Sequence, residues 1–248
     1  MSLADSTRVE VHADAPALAT AIAGALLRRL AEAQADGGVP QIGLTGGTIA
    51  DAMHHELARL SPASDVDWTR VVLWWVDERF VPATSPERNA AAARLAFIDA
   101  LGVPVAHVHE MASADDASDV VAGAAAYAEL VRAHGSGELE VVMFGMGADG
   151  HVASLFPGSA HLLVDDEIAV AVTDSPKPPR ERISLTLPAL NRSRAVWFLV
   201  SGGGKAEAVA RALSGEEPEV SVAELPAVGV HGTTETVWFL DKASASHL

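Results

Sequence analysis

Short apolar runs alternate with longer stretches of helical periodicity along most of this chain. The short runs, rich in β-branched and aromatic residues, predict buried strands, and the Ala-rich stretches with apolar residues three and four apart predict helices between them. This alternation is typical of βαβ units, in which parallel strands form one sheet that helices cover on both faces. The pattern therefore predicts an α/β fold of the Rossmann-like sandwich type, with a mostly parallel sheet.

The apolar runs and the residues that interrupt them set the limits of each predicted element. The predicted strands are Arg8–His12, Gln41–Thr45, Arg70–Val76, Val105–His109, Leu139–Phe144, Ile168–Thr173, Ile183–Leu187, Val196–Val200 and Thr236–Leu240. The predicted helices are Pro16–Ala35, Ile49–Leu60, Arg88–Leu101, Asp116–His134 and Lys205–Leu213. Loops are predicted at Ser175–Arg182 and Ser214–Pro218. A length of 248 residues suits one large domain, so residues 1–248 are predicted to form a single unit.

The composition and net charge of the chain disfavour several classes of function. The formal net charge of −16 disfavours a nucleic-acid partner, because such binding draws its affinity from basic patches. The chain has no cysteine, which excludes disulfides, thiolate nucleophiles and Cys-ligated metals. No apolar run is long enough to predict a membrane span, and no leader pattern is present, so a cytoplasmic protein is expected. An anionic small substrate would need a local concentration of cationic groups in so acidic a chain.

The segment Thr45–Thr48, with sequence Thr-Gly-Gly-Thr, follows a predicted strand and begins a predicted helix. Glycines allow backbone N–H groups to approach an anion, and the helix N-terminus adds its positive dipole end. Thr45, Gly46, Gly47 and Thr48 are therefore candidate phosphate ligands. A plain turn that uses glycine only for its geometry remains the alternative.

Charged residues end the strongest apolar strand abruptly, in the run Asp77-Glu78-Arg79. Ligands of open α/β sheets bind at the carboxyl ends of strands, so these side chains are expected at a cleft. Arg79 could hold an oxyanion or a phosphate. A solvated loop with a local ion pair is the alternative.

The segment Gly145–His151 again follows a predicted strand, and it is expected to enter a helix that ends after about two turns at Pro157–Gly158. Its glycines match the dinucleotide pattern GxGxxG, but so short a helix does not suit a dinucleotide site, and Asp149 would oppose a pyrophosphate. His151 and Asp149 instead suggest a general base and a neighbour that orients it. The alternative is a histidine with a purely structural role.

Two further segments concentrate cations. The Pro-rich loop Ser175–Arg182 carries Lys177 on a stiff backbone, which favours a preorganised anion clamp, although a solvated linker is the alternative. The run Ser201–Lys205 lacks the glycine spacing and the Ser or Thr of an NTP-binding loop. Lys205 nevertheless lies at a strand-to-helix junction, where it could contribute to a phosphate site.

Four motifs follow one another along nearly the whole chain: Gly43-Leu44-Thr45-Gly46-Gly47-Thr48, Trp75-Val76-Asp77-Glu78-Arg79, Gly145-Met146-Gly147-Ala148-Asp149-Gly150-His151-Val152-Ala153-Ser154-Leu155-Phe156-Pro157-Gly158 and Ser175-Pro176-Lys177-Pro178-Pro179. Together they resemble the 6-phosphogluconolactonase family. The resemblance implies hydrolysis of 6-phosphoglucono-1,5-lactone to 6-phosphogluconate without cofactor or metal. It also implies the fold shared with glucosamine-6-phosphate deaminases and ribose-5-phosphate isomerases. The expected partner is a small-molecule phosphorylated sugar lactone, with no nucleic acid and no membrane, and a monomer or weak homo-oligomer is expected.

For this reaction, the candidate residues have hypothetical roles. His151 would be the general base, Asp149 would orient it, and either Arg79 or backbone N–H groups would stabilise the oxyanion. The family pattern has one Arg just before the next strand, which matches Arg182 better than Arg180. The remaining expected substrate and phosphate ligands are Thr45, Gly46, Gly47, Thr48, Asp77, Lys177, Arg182 and Lys205.

Glucosamine-6-phosphate deaminases resemble the chain around the same turns and are the main alternative. They typically carry Asn-Glu-Pro where this chain has Leu155-Phe156-Pro157, and Phe156 cannot transfer a proton. Arg79 also favours the lactonases, because deaminases usually have Tyr there. A non-catalytic sugar-phosphate sensor is the third hypothesis, although a sensor would not need His151.

Overall fold

The structure is a computed structural model, and it describes residues 7–214 and 220–248. Most of the predicted loop Ser214–Pro218 lies outside the described residues. The strands are β1 (Thr7–His12), β2 (Gln41–Leu44), β3 (Val72–Trp75), β4 (Asp77–Arg79), β5 (Val108–His109), β6 (Val141–Gly145), β7 (Ala169–Val172), β8 (Arg182–Leu185), β9 (Ala195–Val200) and β10 (Glu235–Asp241). The α-helices are α1 (Ala15–Ala35), α2 (Thr48–Leu60), α3 (Asn89–Ala93), α4 (Asp99–Leu101), α5 (Val120–His134), α6 (Leu187–Leu190) and α7 (Ala206–Leu213).

The main sheet has seven strands in the order β1-β10-β9-β6-β2-β3-β5, and every neighbouring pair is parallel. The prediction of an α/β fold with a mostly parallel sheet is confirmed. Strands β9, β6, β2 and β3 are adjacent at the centre, so their carboxyl ends lie side by side. The glycine turns and the charged run that follow these strands are thereby brought to one edge of the sheet.

The core lies between this sheet and the helices packed on it. Strand residues such as Trp75, Phe144 and Phe198 are fully buried. Helix α1 buries one stripe, including Leu18, Ile22, Leu26 and Leu30, and contacts β1, β10 and α2. The Asp14 carboxylate accepts a hydrogen bond from Ala17 N at 2.9 Å and so caps this helix.

A second sheet of three antiparallel strands, in the order β4-β8-β7, was not predicted as a separate unit. Strand β4 consists of the charged run, and Asp77 pairs with Ser184 and Arg79 with Arg182. Helix α5 packs on β7 and β8. The buried Tyr127 hydroxyl of this helix accepts from Trp75 N and donates to Trp75 O, both at 2.9 Å. It thus satisfies the backbone of β3 just before the chain enters the second sheet.

Three predicted boundaries are wrong for local reasons. Helix α5 begins at Val120 rather than Asp116, because the Asp116 carboxylate accepts a hydrogen bond from Ser113 Oγ at 2.7 Å in a turn. The helix predicted over Arg88–Leu101 is α3 and α4 joined by a π-helical turn at Arg94–Ile98. The strand predicted over Val105–His109 is a 3₁₀ turn followed by the two residues of β5.

Within the described ranges, no helix combines the length and the apolar character that a bilayer crossing requires.

Candidate active site

A cleft of about 870 Å³ opens at the carboxyl ends of the central strands. It is lined by segments that follow β2, β3, β6 and β9 and by the loop before β8. Predicted site residues that line it are Thr45, Gly46, Gly47, Thr48, Asp77, Arg79, His151, Lys177, Arg182 and Lys205. Asp149 does not line the cleft but contacts His151. The sheet topology therefore brings together side chains that are far apart in sequence.

The first glycine turn leads from β2 directly into helix α2. Gly47 is the N-cap and has φ 105°, in the region that favours glycine. Thr45 is buried, and its Oγ1 accepts a hydrogen bond from Gly145 N at 3.5 Å, which links this turn to the end of β6. The unpaired N–H groups of the first turn of α2 are thus presented at the cleft, where an anion would bind them.

The second glycine turn, Gly145–His151, does not enter a helix, and that prediction is wrong. After β6 the chain forms a tight turn, with Gly150 N donating to Gly147 O at 3.0 Å, and then isolated bridges involving Val152. A Cβ on Gly147 would lie 2.0 Å from His151 Nδ1 and 2.3 Å from Asp149 Oδ1. These two side chains therefore occupy the space that a side chain at position 147 would need.

His151 and Asp149 form a close pair at the cleft. His151 Nδ1 lies 2.5 Å from Asp149 Oδ1, and the histidine side chain is only 17% exposed. A carboxylate partner places the ring proton on Nδ1. Among the described residues, no group hydrogen-bonds the other nitrogen, Nε2. Phe156 packs against the ring, with centroids 4.6 Å apart.

Burial is the main influence on the pKa of His151 and lowers it, Lys177 lowers it further, and Asp149 opposes the change. Lys177 Nζ lies 3.5 Å from His151 Nδ1 and 4.0 Å from Asp149 Oδ1. For Asp149, burial raises the pKa, but the His151 hydrogen bond and the nearby positive charges outweigh it, so the net pKa is lowered. The pair is thus held as a neutral imidazole beside an ionised carboxylate near neutral pH.

The three charged residues of β4 have different environments. Asp77 is buried and accepts from Ser154 Oγ at 2.7 Å. Glu78 is 1% exposed, and its oxygens accept from three backbone N–H groups, those of Arg79, Asn89 and Ala90, at 2.8 to 2.9 Å. Burial raises the pKa of Glu78, although these hydrogen bonds and the charge of Arg88 oppose the rise. Arg79 extends into the cleft.

The basic loop contributes Lys177 and Arg182. The Arg182 guanidinium donates to the carbonyls of Pro179, Lys177 and Pro178 at 3.1 to 3.3 Å, so it fixes the loop that carries Lys177. Burial is the main cause of a lowered pKa for Arg182, which is 6% exposed. Arg180 is exposed and does not line the cleft.

The segment after β9 places Lys205 at the cleft. Asp241 accepts from Ser201 Oγ at 2.6 Å and from Gly202 N at 3.1 Å, which holds this segment against β10. Burial, and secondarily the charge of Lys177, lowers the pKa of Lys205.

Sequence reasoning missed Asn89, Ser154 and Ser201. Asn89 and Ser201 line the cleft, and Ser154 supports Asp77. Ser154 and Ser201 lie within glycine-rich segments that carry candidate site residues, whereas Asn89 lies in a loop-to-helix junction with no motif of its own. In the part of the chain that the structure describes, no group of three or more His, Asp or Glu side chains is arranged to hold a metal ion.

Two sequence comparisons relate this chain to known proteins. The model of the family "Glucosamine-6-phosphate isomerases/6-phosphogluconolactonase" matches residues 13–238. A 6-phosphogluconolactonase of Streptomyces coelicolor is 41% identical over 256 aligned positions, covering 99% of this chain and 96% of the relative.

Two solved structures share the fold. A 6-phosphogluconolactonase from Thermotoga maritima superposes with a TM-score of 0.80 at 23% identity, covering 95% of this chain and 100% of that one. A monomeric glucosamine-6-phosphate deaminase superposes with a TM-score of 0.81 at 20% identity, covering 97% and 100%. Both likenesses concern the fold alone and do not separate the two activities. The family model and the 41% identity do show the family: the chain belongs to the glucosamine-6-phosphate isomerases/6-phosphogluconolactonases.

Proposed function

We propose that this chain is a cytoplasmic 6-phosphogluconolactonase, which hydrolyses 6-phosphoglucono-1,5-lactone to 6-phosphogluconate with His151 as the general base. The observation that carries the proposal is the His151–Asp149 pair, with Nδ1 and Oδ1 2.5 Å apart, in a cleft that also contains Arg79, Lys177, Arg182 and Lys205. The name of the 41% identical relative supports the same reaction.

In the proposed mechanism, Nε2 of His151 removes a proton from water as the water oxygen bonds to the lactone carbonyl carbon. The tetrahedral intermediate then collapses, the bond between the carbonyl carbon and the ring oxygen breaks, and the ring oxygen takes the proton back from the imidazolium. Asp149 holds the Nδ1–H tautomer and stabilises the imidazolium. The product acid ionises, so each turnover releases one proton to the solution.

Charge that develops on the carbonyl oxygen needs a donor. Arg79 and the backbone N–H groups of the glycine turns are the two candidate donors, and both lie at the cleft. The 6-phosphate is proposed to bind at the Thr45–Thr48 turn, together with Lys177, Arg182 and Lys205. Asp77 is proposed to contact the substrate as a hydrogen-bond acceptor. This concentration of cations explains how a chain of net charge −16 binds an anion.

Phe156 favours hydrolysis over deamination. Its ring is 5% exposed and packs on His151 at 4.6 Å, with the Arg182 guanidinium carbon 5.9 Å from its centroid. This position therefore supplies an apolar wall that limits the mobility of the imidazole. An apolar ring has no proton to transfer, which is the role that the resemblance gives to Glu in the deaminases.

The proposal is tested by following proton release in weakly buffered solution from freshly generated lactone, above the spontaneous rate. A parallel reaction with glucosamine 6-phosphate is monitored for ammonia. We expect acceleration with the lactone only. Ammonia release would identify a deaminase, and binding of 6-phosphogluconate without turnover in either assay would identify a sensor.

A further inference from the structure

Asn89, the first residue of α3, forms hydrogen bonds with all three residues of the charged run on β4. It is 6% exposed, its backbone N–H donates to Glu78 Oε1 at 2.8 Å, and its Nδ2 donates to Asp77 O at 3.1 Å. The Asp77 carbonyl can only accept a hydrogen bond, so the Asn89 amide must turn its NH₂ group toward it. Asn89 Oδ1 then points the other way and accepts a short hydrogen bond from Arg79 Nη1. The side chain has one orientation that satisfies both partners.

The same side chain also contacts the first glycine turn. A Cβ on Gly46 would lie 1.9 Å from Asn89 Oδ1 and 2.4 Å from its Cγ. Such distances are far below contact, so residue 46 has no side chain because the Asn89 amide occupies that space. Asn89 therefore lies between the backbone of the phosphate turn and the guanidinium of Arg79, and it touches both.

Arg79 needs such a partner to have a defined position. Its side chain has several rotatable bonds, and holding them in one conformation costs conformational entropy. A single weak contact does not offset that cost. Apart from Asn89, Arg79 Nη1 donates to the Glu87 carbonyl at 3.0 Å, a contact at the exposed rim of the cleft. The buried amide is the contact that directs the guanidinium toward the turn.

We propose that Asn89 is a positioning residue that holds the Arg79 guanidinium beside the Gly46–Gly47 turn, so that cation and backbone donors face one bound anion. This inference rests on the proposed function for its kinetic consequence, though not for the contact itself. Asn89 acts through Arg79 and takes no proton and forms no bond in the reaction.

The kinetic test is a double-mutant cycle with Asn89→Ala, Arg79→Ala and the double variant, measured as kcat and KM for the lactone. We expect Asn89→Ala alone to lower kcat/KM by about tenfold to a hundredfold, through misplacement of a group at the site. In the double variant, we expect no loss beyond that of Arg79→Ala, because the amide then has nothing to position. Losses that multiply would overturn the inference.

The matched control is Asn191→Ala. The Asn191 side chain likewise makes two hydrogen bonds, donating from Nδ2 to Gly229 O at 2.8 Å and accepting at Oδ1 from His231 N at 3.1 Å, but both partners are backbone groups and the residue lies outside the cleft. We expect both Asn variants to lower the melting temperature, and only Asn89→Ala to lower kcat/KM. An equal effect of the two on kcat/KM would show that Asn89 is merely structural.

A readout without substrate separates this inference from the proposed function. The Arg79 Nε–H signal in a ¹H–¹⁵N NMR spectrum, assigned by its loss in Arg79→Lys, should be dispersed in the parent protein. In Asn89→Ala it should shift toward the position of exposed arginines. An unchanged signal would overturn the inference even if the enzyme is a lactonase, whereas a shifted signal in a protein without lactone turnover would refute the proposed function only.

Discussion

The two glycine turns at the cleft resemble each other in sequence but differ in what their glycines do. In the turn after β2, Gly47 has φ 105° and a Cβ there would meet nothing within 4 Å, so the residue serves backbone conformation. In the turn after β6, a Cβ on Gly147 would collide with His151 and Asp149. The first turn exposes its own N–H groups, with Gly46 leaving room for the Asn89 amide beside them, whereas the second turn makes room for the His151–Asp149 pair itself.

This difference explains why only the first turn continues into a helix. A phosphate turn needs the free N–H groups of a helix N-terminus, which α2 supplies. The turn after β6 instead folds an imidazole and a carboxylate back against Gly147. A glycine-rich segment after a strand therefore predicts that some group lies close to the backbone of the turn. Whether that group is a ligand or a side chain of the protein depends on the neighbouring residues.

The largest expected effect comes from the side chain for which the second turn makes room. We expect His151→Gln to lower kcat for the lactone by about a thousandfold, because the general base is lost, with a smaller change in KM. His161→Gln is the matched control, since that histidine bonds Ser159 and Ala171 away from the cleft. Full activity of His151→Gln with an unchanged melting temperature would refute the mechanism.

A methyl group in the second turn should have nearly as large an effect. We expect Gly147→Ala to lower kcat by about a hundredfold, because the added Cβ displaces the His151–Asp149 pair from its position. Gly24→Ala, in the middle of α1 with its nearest contact at 3.5 Å, should leave kcat unchanged. Steady-state kinetics decide this, and equal kcat values for the two variants would mean that the pair tolerates displacement.

A methyl group in the first turn should instead act on binding. Gly47→Ala places an L side chain at φ 105° and ψ 164°, a region that essentially only glycine adopts, which costs about 1–3 kcal/mol and distorts the N–H groups presented to the phosphate. We expect KM for the lactone to rise about tenfold while kcat changes little. Gly37→Ala also places an L side chain at a positive φ, 82°, but outside the cleft, and should affect stability alone. The same KM for both variants would contradict the phosphate assignment of this turn.

The smallest expected effect is a displacement of the pH profile. His151 acts as a base only when neutral, so kcat should fall as the pH drops through its pKa, which burial and Lys177 hold below the ordinary value of 6.5. Removing the positive charge in Lys177→Gln should raise that pKa and move the acid limb to higher pH. At pH 6 we expect a few-fold loss of kcat, and near pH 8 we expect none.

The control for this shift is Lys242→Gln, which removes an exposed lysine outside the cleft. Its pH profile should match that of the parent protein. An acid limb that stays in place in Lys177→Gln, or that moves equally in both variants, would show that Lys177 does not influence the base.

The sequence by itself determined the parallel sheet and the positions where the chemistry concentrates. The apolar runs that became β2, β3, β6 and β9 are local signals of buried strands, and each is followed at once by glycine or charge. Because parallel strands end at a common edge, those residues had to share one side of the sheet. The sequence alone therefore predicts that His151, Arg79 and Lys205 lie at one cleft.

The tertiary structure alone decided how those side chains pair. Strand β4 has no alternation of apolar and polar residues, and it forms only because β8, about a hundred residues later, supplies its hydrogen-bond partners. Asn89 reaches Arg79 and Gly46 only through that arrangement, and Lys177 approaches His151 only through the loop that Arg182 fixes. Periodicity reports burial along one segment, whereas contacts between polar side chains distant in sequence depend on the whole fold.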